Sequence, residues 1–173
     1  MPLRIAITGP ESSGKTTLAA TLAKHYQTAY VEEYARTYLE KYGKEYDFQD
    51  LLKIAKRQIQ MRERQQVETQ RLLFCDTDLV VLKVWAEEKF HRSILTIENT
   101  LKTDPCDLYL LCYPDVAWEY DPLRENPDDR HRLFHIYKRY MEVYHLNYHI
   151  IEGKFAQRNR LAINIVDSYL REY

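Results

Sequence analysis

Residues 3–17 read LRIAITGPESSGKTT, an apolar run followed by a glycine-bounded loop that ends in lysine and threonine. Residues 9–16 fit the pattern G-x-x-x-x-G-K-[ST], in which backbone N–H groups and a lysine surround a bound phosphate. A simple glycine turn at a helix start is the alternative. The context disfavours it, because an apolar strand pattern precedes the loop and an amphipathic helix pattern follows it. The stretch therefore predicts a strand, a phosphate-binding loop (the P-loop) and a helix.

The P-loop pattern also predicts roles for single residues. Glycine permits the close approach of backbone to phosphate, and the start of the next helix adds partial positive charge. Lys15 is expected to reach the β- and γ-phosphates, and Thr16 to place its hydroxyl on Mg²⁺. ATP and Mg²⁺ are thus the predicted cofactors. The residues predicted to hold them are Gly9, Ser12, Ser13, Gly14, Lys15, Thr16 and Thr17.

Composition narrows the classes of protein to consider. The chain has 173 residues, which suits one domain over 1–173, and a net charge of −1 predicts no bulk attraction to nucleic acid or anionic membrane. Three cysteines without metal-ligand or pairing spacing indicate reduced thiols in a cytoplasmic protein. No apolar stretch reaches 18 residues, so no membrane span is expected. His131 and His135 lack a third ligand and are expected to lie on a helix surface.

The chain alternates between apolar runs and amphipathic stretches. This alternation predicts an α/β three-layer sandwich with a mostly parallel five-stranded sheet, of the P-loop NTPase or nucleoside-kinase type. Gly43 is expected to end one helix and Asp47 to begin the next. Residues 114–130 carry three prolines and many charges, and they predict a lid loop. The predicted strands are 3–8, 28–33, 107–114 and 148–153, and residues 71–78 are predicted to form a strand and then a loop.

Neither of the later GTPase motifs, N-K-x-D and D-x-x-G, follows a predicted strand, and a small P-loop protein with a charged lid is typical of a small-molecule kinase. Such an enzyme needs a carboxylate near the acceptor hydroxyl and cations over the transferring phosphoryl group. Glu33 ends the second predicted strand, and Arg36 lies three residues further on. The two are predicted to orient and hold the acceptor. A surface ion pair at a helix start is the alternative, and the spacing does not decide between them.

Asp76 ends the third apolar run, where strand-end acids face the ligand crevice, and is predicted to hold Mg²⁺. Its alternative is to cap the next helix, for which Asp78 is better placed. Arg124 lies mid-loop and is predicted to stabilise charge in the transfer step, against the alternative of a solvated loop. Trp118 is expected either to stack on a flat ring or to pin the loop, and Trp85 to pack within its helix.

Four stretches together resemble one family: GPESSGKTT, EEYAR, CDTD and the W…D..LR of the loop. The sequence is similar to the ribosylnicotinamide (nicotinamide riboside) kinase domain of bacterial NAD-biosynthesis regulators, over nearly all of residues 1–173. The resemblance implies a P-loop kinase that phosphorylates the 5′-hydroxyl of nicotinamide riboside, a small-molecule nucleoside substrate. It implies that the acceptor side is lined by Glu33, Tyr34, Arg36, Asp76 and Asp78, and that the lid motif contributes Trp118, Asp121 and Arg124.

The chain departs from that family in its lid. Ala117 precedes Trp118 where the family has proline, and Pro122 stands where the family has glycine, so the loop is expected to be stiffer and to move Trp118. The chain also lacks the adenylyltransferase and DNA-binding parts, so kinase activity alone is expected. Two other hypotheses stay open. One is a kinase for another nucleoside or nucleotide, and the other is an ATP-sensing module without transfer. The sequence leaves the oligomeric state open.

Overall fold

A computed structural model describes residues 1–43, 45–123 and 128–172 of the chain. Strands and helices alternate along it as the sequence predicts. The strands are β1 Leu3–Thr8, β2 Tyr30–Val31, β3 Leu72–Asp76, β4 Leu108–Cys112 and β5 Tyr148–Ile151. The helices are α1 Lys15–His25, α2 Tyr34–Tyr42, α3 Phe48–Glu68, α4 Leu79–Phe90, α5 Leu95–Thr103, α6 Arg130–Val143 and α7 Phe155–Glu172.

The five strands form one parallel sheet in the order β2-β3-β1-β4-β5, with β1 at its centre. Every residue of β1 is buried, which explains why it reads as a continuous apolar run and not as an alternating one. Its side chains serve two separate cores. Ile5 and Ile7 pack with α1 and α7 on one face, and Ala6 packs with α2 to α6 on the other. The predicted three-layer sandwich with a parallel five-stranded sheet is therefore confirmed.

Local signals set the helix ends that the sequence predicted. Asp47 accepts hydrogen bonds from the backbone of Gln49 and Asp50, and the Asp50 side chain accepts one from Asp47 in return, which closes a capping box at the start of α3. α2 ends at Gly43, whose φ of 92° suits glycine. His131 and His135 are exposed on α6, as expected.

β2 is shorter than the predicted strand 28–33. The Gln58 side chain, which is buried on α3, accepts a hydrogen bond from the Tyr34 N–H at 2.9 Å and donates one to the Glu32 carbonyl at 3.1 Å. These bonds satisfy the backbone where the chain leaves the sheet, so pairing with β3 is limited to Tyr30 and Val31. The early end of β2 turns the chain into α2 directly after Glu33.

The carboxyl ends of all five strands lie at one edge of the sheet, because the strands are parallel. The P-loop follows β1, Glu33 follows β2, Asp76 ends β3, Asp115 follows β4 and Gly153 follows β5. Ligands of open parallel sheets bind at this edge. Among the described residues, the helices all fall short of the length and apolar character that a membrane span requires.

Candidate functional site

A cavity of about 790 Å³ lies at the carboxyl edge of the sheet. Its lining falls into three groups of residues. The P-loop and the first turn of α1 form the first group, residues of α2, α4 and α6 form the second, and Asp115 with the first turn of α7 forms the third. We call the second group the α4 arm and the third group the α7 arm. All seven residues predicted to hold ATP line this cavity: Gly9, Ser12, Ser13, Gly14, Lys15, Thr16 and Thr17.

The shape of the P-loop depends on both of its glycines. Gly9 has φ of 134°, and a Cβ there would lie 2.7 Å from the Cys112 carbonyl oxygen at the end of β4. Gly14 has φ of 80° and takes the left-handed conformation immediately before α1. Inside the loop, Lys15 Nζ and Ser13 Oγ both donate to the Pro10 carbonyl, each at 2.7 Å. The Lys15 ammonium is thus held at the loop, where a phosphate would replace the carbonyl as its partner.

Asp76 and Thr16 together fit a magnesium site. The Asp76 carboxylate is only 2 % exposed, and its Oδ1 has no hydrogen-bond partner among the described residues. Burial raises its pKa, while the Thr16 hydroxyl and the Lys15 charge oppose that rise. No group of three acidic, histidine or cysteine side chains in the described part of the chain could hold a metal unaided. One carboxylate and one hydroxyl suit Mg²⁺, which takes its other ligands from phosphate and water.

Of the residues predicted for the acceptor side, two line the cavity, and the described ones outside its lining are Tyr34, Asp76, Asp78, Trp118 and Asp121. Glu33 and Arg36 are in the lining, and the Arg36 guanidinium donates to Asp121 Oδ2 at 2.7 Å, which connects α2 to the predicted lid. Tyr34 is not in the lining. Its ring packs edge-on against Tyr38 at 6.1 Å. Trp118 is also outside the lining, with the Arg130 guanidinium 5.6 Å from its ring centre. Arg124 lies outside the described residues.

Asp78 lies in a different environment from the one predicted. It precedes α4 at the capping position, but its carboxylate is buried and makes no hydrogen bond to the helix. It borders a void of about 10 Å³ that is lined by residues of α3 and β3, and Arg62 and Tyr109 border the same void. Burial raises the pKa of Asp78 to about 6, although nearby backbone N–H groups and the Thr8 hydroxyl partly stabilise the charged form. The structure therefore separates Asp78 from the cavity that Glu33 faces.

An aromatic wall in the α4 arm was not predicted. Trp85 Nε1 and Lys89 Nζ both donate to the Tyr46 hydroxyl, at 2.8 and 2.7 Å, and the rings of Trp85 and Tyr46 meet edge-on at 5.1 Å. All three residues line the cavity. Trp85 was expected to pack within its helix, and it does pack against Tyr46, but it also borders open space. α4 is apolar on nearly every side, so the sequence does not show which of its residues face a ligand.

Arg132 lines the same arm and forms two ion pairs. Its guanidinium bonds Glu88 and Asp129 at 2.5 and 2.6 Å, and this pairing lowers the pKa of the Asp129 carboxyl. Glu88 and Arg132 line the cavity with Glu33. The arm therefore offers aromatic and apolar side chains together with acidic and basic groups, an arrangement suited to a planar ring with polar substituents.

A family model described as an AAA domain matches residues 4–158, which is most of the chain. The chain belongs to this AAA-domain family. No curated protein matched the sequence. Among solved structures, the AAA-domain chain is similar to a NadR protein in complex with NAD and AMP-PNP, at 25 % identity and a TM-score of 0.81. It is also similar to a NadR protein in complex with NR, at 25 % identity and a TM-score of 0.80.

The AAA-domain chain is covered almost completely in both comparisons, to 97 %, but it spans only 49 and 51 % of the NadR chains. Two kinases share the fold over nearly their whole length. Deoxyadenosine kinase from M. mycoides has 16 % identity and a TM-score of 0.68, with 96 % of this chain and 100 % of that chain covered. Thymidylate kinase from Ehrlichia chaffeensis has 13 % identity and a TM-score of 0.69, with 97 and 98 % covered. The fold is that of P-loop nucleoside and nucleotide kinases, and the resemblance to the NAD-biosynthesis regulators is confirmed.

Proposed function

We propose that the chain is an ATP-dependent kinase that transfers the γ-phosphate to the 5′-hydroxyl of nicotinamide riboside and gives nicotinamide mononucleotide. One observation carries the proposal: a single cavity joins the P-loop to an aromatic-walled arm, and Glu33 lines it together with Arg36. The similarity to NadR proteins in complex with NR and with AMP-PNP supports this choice of acceptor and donor. The proposal treats residues 1–173 as one kinase unit with a lid at about 114–130.

The triphosphate of ATP would lie in the P-loop, with its terminal groups beside the Lys15 ammonium. Thr16 and Asp76 would hold Mg²⁺, which supplies positive charge to the β- and γ-phosphates in reactions of this class. Lys15 would exchange its bond to the Pro10 carbonyl for one to a phosphate oxygen. In this arrangement the P-loop positions the group to be transferred, and positioning with electrostatic stabilisation provides most of the catalysis.

The acceptor would lie in the α4 arm with its hydroxyl toward the P-loop. Glu33 would accept a hydrogen bond from the 5′-hydroxyl and so orient it for attack. Arg36, and Arg124 of the lid, would stabilise negative charge on the phosphoryl group as it moves. The pyridinium ring is flat, so the Trp85 ring that lines the arm suits it. The Lys89 ammonium covers the Tyr46 ring, 3.9 Å from its centre, and donates to its hydroxyl, so Tyr46 would act by holding Trp85 in place.

The purine of ATP would lie in the other arm. Phe155 lines this arm at the start of α7 and is 75 % exposed, so its ring is open to a ligand. Asp115 and Asn159 lie in the same lining and add polar groups. An aromatic face with a few polar neighbours suits a purine base.

The proposal is tested by measuring ADP release from MgATP with a panel of acceptors: nicotinamide riboside, purine and pyrimidine nucleosides, and nucleoside monophosphates. Nicotinamide riboside is expected to give the highest kcat/KM, and mass spectrometry is expected to show nicotinamide mononucleotide. Lys15→Ala should abolish turnover, while Lys24→Ala, an exposed change on the same helix, should leave it unchanged.

Two outcomes would contradict the proposal in different ways. A higher kcat/KM for another nucleoside or for a nucleotide would reassign the acceptor but keep the kinase chemistry. ADP release that no acceptor stimulates above slow hydrolysis would instead favour an ATP-sensing module. Full turnover in Lys15→Ala would remove the P-loop mechanism altogether.

A further inference from the structure

Two arginines that are far from the P-loop in the sequence donate hydrogen bonds to consecutive carbonyl groups of the P-loop. Arg130, the first residue of α6, donates from Nη1 to the Ser12 carbonyl at 3.0 Å. Arg158, on the first turns of α7, donates from Nη1 to the Ser13 carbonyl at 2.5 Å. Each guanidinium therefore uses at least one of its N–H groups on the P-loop backbone and not on a bound phosphate.

Arg158 is fixed firmly in this role. It is only 3 % exposed, and its Nε donates to the Gly153 carbonyl at 3.1 Å, while Nη2 donates to the Tyr113 carbonyl at 2.8 Å and to the Asp115 carboxylate. Those partners follow β4 and β5 directly. One buried guanidinium thus connects the ends of two strands to the P-loop, and the fork of Arg suits several partners at once in a way that Lys does not.

The geometry of the peptide unit gives these contacts a consequence for phosphate binding. Peptide units here are planar and trans, so a carbonyl and the N–H of the next residue point in opposite directions. A carbonyl that is held outward by an arginine therefore directs the following N–H inward. We infer that Arg130 and Arg158 are positioning residues that turn the N–H groups of Ser13 and Gly14 toward the bound triphosphate.

Strain in the loop explains why such a brace is needed. Ser12 has φ of 52°, a left-handed conformation that is unfavourable for a residue other than glycine. Besides the Arg130 contact to its carbonyl, Ser12 accepts a hydrogen bond at its Oγ from the Glu119 N–H at 3.0 Å. Arg130 Nη1 also donates to the Val116 carbonyl at 3.0 Å. The predicted lid segment therefore contacts Ser12 of the P-loop, and this contact helps to set the orientation of the Ser13 N–H.

This inference rests on the part of the proposed function that places a triphosphate in the P-loop, and it is independent of the acceptor. The test measures the Kd of inorganic tripolyphosphate and of MgATP by calorimetry for wild type, Arg158→Lys, Arg158→Met and Arg130→Met. Each variant is expected to bind both ligands about tenfold or more weakly, because oriented hydrogen bonds to a charged group are lost. Arg160→Met changes an exposed arginine of the same helix and should bind as wild type does.

Stability is measured in parallel by urea unfolding, and binding is measured where each variant is fully folded. A purely structural role would lower stability and leave both Kd values within about twofold of wild type, which would overturn the inference. Weaker MgATP binding with unchanged tripolyphosphate binding would also overturn it, because the arginines would then act on the nucleoside. If Arg158→Met does not fold, Arg158→Lys and Asp115→Asn give the same decision, since both weaken the Arg158 contacts while keeping a similar volume.

Failure of the proposed function gives a different result. Wild-type protein that binds tripolyphosphate tightly but phosphorylates no riboside would refute the kinase assignment and leave the positioning role of Arg130 and Arg158 intact. Kinase activity in the wild type, together with unchanged affinities in all the arginine variants, would support the kinase assignment and refute the positioning role of Arg130 and Arg158.

Discussion

Replacement of the two P-loop glycines by alanine should have very different effects on stability. At Gly9, an added Cβ would lie 2.7 Å from the Cys112 carbonyl oxygen and 3.3 Å from the Cys112 nitrogen. These are backbone atoms at the end of β4, so the clash is relieved only by moving β4 away from β1. The φ of 134° adds a backbone conformation that alanine rarely takes. Strain of about 1–3 kcal/mol and overpacking of about 1–3 kcal/mol together predict a loss of about 2–6 kcal/mol for Gly9→Ala.

At Gly14 an added Cβ would meet no clash. The nearest atom to an added Cβ is Arg158 Nη1 at 3.7 Å, an ordinary contact, so only the left-handed φ of 80° opposes alanine. That conformation costs about 1–2 kcal/mol, and the loss of glycine entropy from the unfolded chain offsets about 0.4–1 kcal/mol of it. Gly14→Ala should therefore lower the free energy of unfolding by only about 1 kcal/mol.

Urea unfolding followed by circular dichroism measures both effects under the same conditions. For a chain of this length, about 1 kcal/mol corresponds to about 2–4 °C in Tm, so thermal unfolding should place Gly9→Ala clearly below Gly14→Ala. Equal losses in the two variants would refute the reasoning, and so would a Gly9→Ala variant within about 1 kcal/mol of wild type. A small loss at Gly9 would mean that β4 yields at Cys112 without cost, and equal large losses would mean that the left-handed φ and not the clash sets the cost.

Three further predictions concern side chains. The buried Asp78 carboxyl has its pKa raised from 3.8 to about 6, so its contribution to the free energy of unfolding should fall by about 2 kcal/mol as pH rises from 4 to 7. Asp78→Asn should remove this fall in urea titrations at both pH values. The buried Lys83 ammonium bonds Glu87 and Glu98 at 2.6 and 2.8 Å, and the pKa of each of these carboxyls is lowered from 4.5 in the folded protein. Lys83→Met should cost about 2–3 kcal/mol at pH 7, measured by urea unfolding, and the cost should shrink only as pH falls below 4.5 and the two carboxyls lose their charge. Trp85→Leu removes an aromatic ring from the α4 arm, where the acceptor is proposed to lie. In steady-state assays it should raise the KM for the acceptor by up to about tenfold and leave the KM for ATP unchanged.

The parts of the fold that the sequence predicted correctly are those that are determined locally. β1, the P-loop and α1 follow one another within 25 residues, and each carries its own signal in hydrophobic spacing or glycine position. The start of α3 at Asp47 and the end of α2 at Gly43 are also set by residues within one turn. The parallel order of strands then places the residues after each strand at one edge, which is why Glu33 and Lys15 were predicted to share a site.

The parts that the sequence did not predict depend on contacts between distant residues. The early end of β2 is set by Gln58, 24 residues beyond the Tyr34 N–H that it binds. Trp85 faces the cavity because Tyr46 fixes its ring, and the spacing of apolar residues along α4 gives no sign of that choice. The family resemblance placed Asp78 with Asp76 on the acceptor side. In the structure neither carboxylate is in the cavity lining, and Asp78 borders the small void beside Arg62 and Tyr109.

The P-loop shows why a motif can identify a site without specifying it. Its pattern requires glycine and lysine, and it says nothing about Ser12 and Ser13, whose carbonyls determine where the following N–H groups point. Those carbonyls are held by residues 118 and 145 positions further along the chain. A change at Arg130 or Arg158 would leave the motif intact and still alter the cradle that it describes. We therefore expect the affinity of this P-loop for phosphate to depend on the C-terminal helices as well as on residues 9–16.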